Sequence, residues 1–259
     1  MTAGRDAPDH PVAGRDTTTV LKLGGSVVTE KNTPETVDTE ALGRAAEAVA
    51  AIPGRVVVVH GGGSFGHHHA AEHGVSSTEG THDDGAIRAI HEAMKRLNGA
   101  VVGGLVEAGV SALPVHPFSA AARTAEGTLR LETDPTTTML EERFVPVLHG
   151  DAVVHAGAGA TILSGDEIVV ALARTLDADR VGVCSSVPGV YDADGEVIDR
   201  IASFEDVADA VGASDSTDVT GGMAGKVREL LSLDARAYVF DLDGLETFAA
   251  GGDPGTEID

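Results

Sequence analysis

Lysine is the scarcest charged residue in this chain, and its placement is the first pointer to chemistry. The sequence holds four lysines against fourteen arginines. Three of the four, Lys22, Lys31 and Lys226, lie in or beside glycine-rich turns, while Lys95 belongs to a long helical pattern and reads as a solvated-face residue. The first turn is Lys22-Leu23-Gly24-Gly25-Ser26, with Lys31 shortly beyond it. A strand that ends in two glycines lets backbone N–H groups approach a polyphosphate, and flanking ammonium groups add compact positive charge. Taken alone, the same pattern also describes an ordinary strand-to-helix turn with surface lysines.

A second glycine run, His60-Gly61-Gly62-Gly63-Ser64-Phe65-Gly66-His67, follows a row of valines. A helix starting just beyond it would offer unpaired N–H groups and the positive end of its dipole to an anion. His67 would then face that anion. The run continues through His68 and His69. Neighbouring residues of one helix point in different directions, so these three are not expected to share an ion, and no metal ligand is assigned.

Ser164-Gly165-Asp166 marks a helix start with Ser164 as N-cap. Asp166 in the first turn either caps that helix or organises lysines. Asp218-Val219-Thr220-Gly221-Gly222-Met223-Ala224-Gly225-Lys226 is another anion-ready helix start. It lacks the GxxxxGK[ST] spacing of a P-loop. Two phosphate cradles and three separated lysines suit phosphoryl transfer, which depends on positioning and charge neutralisation. An acceptor that is itself a phosphate ester, with a second pKa of about 6, would need no protein base.

The elements that must hold these turns alternate along the chain. Strands are predicted at 18–23, 56–59, 112–115, 144–148, 180–184 and 237–240, the last as a central strand, with a hairpin arm at 128–132. Helices are predicted at 38–51, 86–108, 164–176, 204–211 and 221–233. The run Val56-Val57-Val58-Val59 is apolar on both faces, as a parallel sheet requires. Strand–helix alternation implies a three-layer αβα sandwich around a mostly parallel open sheet. Residues 1–16 read as a disordered tail and 17–259 as one domain.

Acidic residues outnumber basic ones 41 to 18, for a formal charge of −23. Such a surface repels nucleic acid and anionic membranes. With so little lysine it matches a salt-adapted, halophilic protein, although an acidic mesophilic enzyme has the same composition. The single cysteine, Cys184, excludes an intrachain disulfide and suits a reducing cytoplasm. No apolar stretch is long enough for a signal peptide core or a membrane span.

Together the motifs resemble the amino acid kinase superfamily, and within it the archaeal-type isopentenyl phosphate kinases. The likeness runs from about Val20 to Asp259. HGGGSFGH, LHGD (Leu148–Asp151), SGDE (Ser164–Glu167), STDVTGGM (Ser216–Met223) and the closing GTEID carry it. The resemblance implies transfer of the γ-phosphate of ATP, with Mg²⁺, to isopentenyl phosphate in isoprenoid biosynthesis by way of the mevalonate pathway, by a homodimer. It implies an acceptor lobe at about 17–160 and a nucleotide lobe at about 161–259. Lys22, Gly24, Gly25 and Ser26 are implied to contact ATP phosphates, with Gly63, Gly222 and Lys226 also on the nucleotide. Lys31 is implied to stabilise the transition state. Gly62, His67 and Gly165 are implied to hold the acceptor phosphate, and Asp166 to position the lysines. One departure stands out: a TDVDG-like turn in the family reads Ser185-Ser186-Val187-Pro188-Gly189 here, without its two acids. Ile90 and Met94 on the long helix are candidates for the wall of an apolar tail pocket. The competing expectations are a fosfomycin or uridylate kinase on the same fold, and a non-catalytic anion-binding module.

Overall fold

The computed structural model describes residues 16–208 and 222–259. The tail expected at 1–16 falls almost wholly outside the described residues, as does most of the STDVTGGM motif.

Eight strands form one sheet in the order β10 (Arg200–Ile201), β12 (Thr256–Ile258), β11 (Arg236–Phe240), β9 (Arg180–Cys184), β1 (Thr18–Leu23), β2 (Arg55–His60), β6 (Val145–His149) and β3 (Ala112–Pro114). Neighbours are parallel except β11 and β12. The strand expected to be last and central, β11, is thus followed by β12, which extends the sheet antiparallel. All six residues of β1 are buried, because the sheet is covered on both faces.

The two coverings explain the alternation inside the strands. Leu21, Leu23, Val56 and Val58 face a cluster shared with α2 (Thr39–Ala51), the long helix α4 (Asp84–Glu107) and α9 (Gly244–Ala249). Val20, Val57, Val59, Val181 and Val183 face the opposite cluster, shared with α7 (Gly165–Thr175) and α8 (Gly222–Leu230). With few aromatics available, these layers are built from valine, leucine and alanine.

A second sheet was not anticipated beyond the hairpin arm. It runs β5 (Leu129–Leu131), β4 (Ala121–Arg123), β7 (Asp151–His155), β8 (Gly159–Leu163). The region expected to be helical from 204 begins as a short 3₁₀ turn, Phe204–Asp206, and its end lies outside the described residues.

Candidate active site

Leu23 and His60 stand side by side in the parallel register of β1 and β2. Both glycine turns therefore leave the sheet at the same edge. Gly24 N–H donates to Cys184 O at 2.8 Å, and Gly61 N–H donates to Leu23 O at 2.9 Å. The turns open two helices, α1 (Gly25–Val28) and α3 (Gly63–Glu72). They press so closely together that a Cβ on Gly25 would lie 2.1 Å from Gly63 N. Gly63 also has φ +48°, in the left-handed region. Thr29 ties the pair: its Oγ1 accepts from Ser64 N–H at 3.0 Å and donates to Gly25 O at 2.8 Å. Some of this glycine content thus serves contact between the turns, a role separate from any approach to phosphate.

Asp166 borders the same cleft as these turns, in the first turn of α7. Its Oδ2 accepts from Lys22 Nζ at 2.7 Å and from Lys226 Nζ at 2.9 Å. All three side chains are at most 14% exposed. Burial opposes the charge on Asp166, yet the two ammonium groups outweigh it and hold the carboxyl below its ordinary range. Burial lowers the Lys22 pKa, Asp166 opposes that shift, and Lys226 adds to it. One carboxylate therefore keeps two like charges close, leaving a net positive centre. Gly165 makes room for it, since a Cβ there would lie 3.3 Å from Lys22 Cε.

The rest of the Ser164–Glu167 segment supports the same point. Ser164 and Glu167 form a full capping box, with Glu167 N–H donating to Ser164 Oγ at 3.2 Å. Arg123, from the second sheet, donates to Glu167 Oε1 at 2.6 Å. The unanticipated sheet thus anchors the start of α7.

Every residue given a site role from the sequence lines one cleft of about 1420 Å³: Lys22, Gly24, Gly25, Ser26, Lys31, Gly62, Gly63, His67, Gly165, Asp166, Gly222 and Lys226. Among them, Lys22, Asp166 and Lys226 are in direct contact. Lys31 and His67 are exposed at the cleft wall. Ile90 and Met94 line the same cleft, and both are almost fully buried in the protein. The Ser185–Gly189 turn also borders it, through Ser185, Ser186, Val187 and Gly189. Lys95 pairs with Glu92 at 2.8 Å on the exposed side of α4, away from the site.

A histidine layer beneath the turns escaped the sequence reading. His60 donates from Nδ1 to Gly61 O at 3.0 Å and accepts at Nε2 from Asn98 at 3.1 Å. His149 donates from Nδ1 to Gly150 O at 2.9 Å and accepts at Nε2 from His116 at 2.9 Å. These tautomers follow from the partners. Burial lowers His60 to about 4 and His149 to about 3, so both rings are neutral and stack at 5.5 Å. Asp151, also buried, accepts from His91 Nδ1 at 2.8 Å and from Ala152 N–H at 2.8 Å. The signal was present in HGGG and LHGD, where each histidine closes a buried strand before glycine.

Comparison with known proteins agrees with this geometry. The amino acid kinase family model matches residues 17–237. The chain is 66% identical over 241 residues to the isopentenyl phosphate kinase of Haloferax volcanii, covering 92% of this chain and 97% of that one. It is 35% identical over 230 residues to the isopentenyl phosphate kinase of Methanothermobacter thermautotrophicus, covering 83% and 86% of the two chains. An X-ray structure of an isopentenyl phosphate kinase superposes with a TM-score of 0.80 at 27% identity, over 93% of this chain and all of that one. The chain belongs to the amino acid kinase family, in its isopentenyl phosphate kinase branch.

Proposed function

We propose that the protein transfers the γ-phosphate of ATP to isopentenyl phosphate, giving isopentenyl diphosphate and ADP. One observation carries the reading: a single cleft combines two glycine-turn helix starts, the Lys22–Asp166–Lys226 centre and the apolar side chains Ile90 and Met94. A phosphate ester with a short hydrocarbon tail needs both kinds of surface.

In this account an oxygen of the acceptor phosphate attacks the γ-phosphorus of ATP. The new P–O bond forms as the bond to the β-phosphate oxygen breaks, and that oxygen leaves on ADP. Lys22 and Lys226 neutralise the nucleotide phosphates, with Gly24 giving them room and Gly25, Ser26, Gly63 and Gly222 giving room and N–H groups. Lys31 meets the charge that grows on the transferred group. His67, with Gly62 and Gly165, holds the acceptor phosphate. No side chain need remove a proton, because the acceptor is largely dianionic near neutrality. Asp166 keeps the lysines apart and oriented.

Mg²⁺ fits this site as a partner of the nucleotide. Asp166 and Asp151, two acids that line the cleft, are engaged already, Asp166 by two lysines and Asp151 by His91 and the Ala152 N–H. The ATP phosphates themselves would hold the ion, and it would draw charge from them. The reading includes a homodimer working in a salt-rich cytoplasm, with the acceptor bound by about residues 17–160 and the nucleotide by about 161–259. Light scattering after gel filtration in high salt tests the dimer.

³¹P NMR of a reaction with ATP, Mg²⁺ and isopentenyl phosphate tests the chemistry. The monoester singlet should give way to two coupled diphosphate resonances as ADP appears. ADP with the monoester untouched would mean hydrolysis, and the acceptor assignment would fall.

A further inference from the structure

The histidine run continues past the active site into a second cluster. His67 and His68 line the cleft, whereas His69 lies one helical turn from Glu72 and His73. One ligand atom from each of these three falls within 4.8 Å of the others. Spacing of i, i+3 and i+4 brings side chains to one helix face. Glu72 and His73 are exposed, so an ion could arrive from solvent.

The hydrogen bonds of His69 give the cluster its direction. Its Nε2 lies 2.6 Å from Glu35 Oε1, an oxygen that also accepts from Arg96. A carboxylate can only accept here, so Nε2 carries the proton. Nδ1 is then a lone-pair nitrogen. It is buried and makes no hydrogen bond among the described residues, and the carboxylate oxygen Glu72 Oε2 is 3.5 Å away. Two electron-pair donors facing each other across that distance call for a cation between them. A carboxylate bonded to the far ring nitrogen is the arrangement that fixes a metal-binding histidine and raises its basicity.

We propose that His69 Nδ1, Glu72 and His73 bind a borderline divalent transition metal of the Zn²⁺, Co²⁺ or Ni²⁺ class. Two imidazoles and one carboxylate favour that class over Mg²⁺ or Ca²⁺, which take oxygen ligands. The site is separate from the Mg²⁺ that accompanies ATP. Three protein ligands leave a fourth position for water. Through Glu35 the ion would sit on the anchor of the loop that carries Lys31, since Glu35 N–H also donates to Ser64 O at 3.2 Å.

The test is calorimetric titration of ZnCl₂ into untagged, chelator-stripped full-length protein. Excess MgCl₂ and high salt are present to occupy the acidic surface. The expected result is one saturable event per chain, with Co²⁺ giving the intense visible bands of a tetrahedral complex. The event should vanish in His73→Ala, an exposed change that leaves the fold intact. It should weaken by about tenfold in Glu35→Gln, as loss of an outer-shell partner does. His82→Ala should leave it unchanged. No saturable event, or one that survives in the His69→Asn/His73→Ala double variant, would overturn the proposal and leave a proton as the cation at Nδ1.

Discussion

Lys22 and Lys226 meet on one atom. They come from a central strand and a distant helix, and both ammonium groups bond to Oδ2 of Asp166, at 2.7 and 2.9 Å. The carboxylate is the reason two buried cations can share that space. Asp166→Asn keeps the shape and removes the charge. Breaking a buried ion pair costs about 3–5 kcal/mol, so the melting temperature should fall markedly. Turnover should fall by about 10²-fold or more, as when a preorganised electrostatic group is lost. Wild-type turnover in a folded Asp166→Asn enzyme would remove this centre from the mechanism.

Lys31 should behave differently, because it is exposed on the cleft wall and, among the described residues, no partner constrains it to a structural role. Lys31→Ala should lower kcat by on the order of 10³-fold, with ATP affinity and melting temperature nearly unchanged. Steady-state kinetics beside a thermal melt would decide it. A loss confined to KM for ATP would make Lys31 a ground-state contact instead.

The glycines separate into those that space the turns and those that merely occupy helix. Gly25→Ala would set a Cβ 2.1 Å from Gly63 N, so the two turns would have to part and activity should collapse. Gly43, exposed within α2, meets nothing within 4 Å. Gly43→Ala should stabilise the protein by about 0.5–1 kcal/mol with kinetics unchanged. Equal tolerance of the two substitutions would show that the turns do not pack as described.

The buried histidines make stability depend on pH. His60 and His149 titrate in the folded protein at about 4 and about 3, below the ordinary 6.5, chiefly through burial. Between those values and 6.5 the unfolded chain binds more protons than the folded one, so stability rises with pH there. It should be fully present above about pH 6.5 and decline as the pH falls toward 5, before most carboxylates titrate. Melting temperatures across that window, taken in high salt to screen surface charge, check it. A flat curve would mean that these rings are already solvated or charged.

The sequence and the structure agree where a signal was local and strong. Val56–Val59 and the Thr18–Leu23 run became neighbouring central strands, and the apolar spacing of Ile90, Met94 and Leu97 became the buried face of α4. Lysine scarcity marked Lys22 and Lys226, and Asp166 was legible as an acid in a helix's first turn. What stayed hidden depends on partners remote in sequence. The second sheet uses three-residue strands such as Ala121–Arg123, too short and too rich in alanine and arginine for a period-two pattern. The Arg123–Glu167 pair, the His60–His149 stack and the Glu35–His69 bond each join residues that only the folded topology brings together.

The central claim is the acceptor, and the most direct measurement is kcat/KM from ADP release with ATP and Mg²⁺ in high salt. The panel is isopentenyl phosphate, dimethylallyl phosphate, fosfomycin and UMP. Isopentenyl phosphate should be fastest. Dimethylallyl phosphate should also turn over, since an apolar pocket tells small differences in a hydrocarbon tail apart by only about 1–3 kcal/mol. Fosfomycin and UMP should be poor substrates. A folded enzyme that ignores both prenyl phosphates while accepting fosfomycin or UMP would contradict the account.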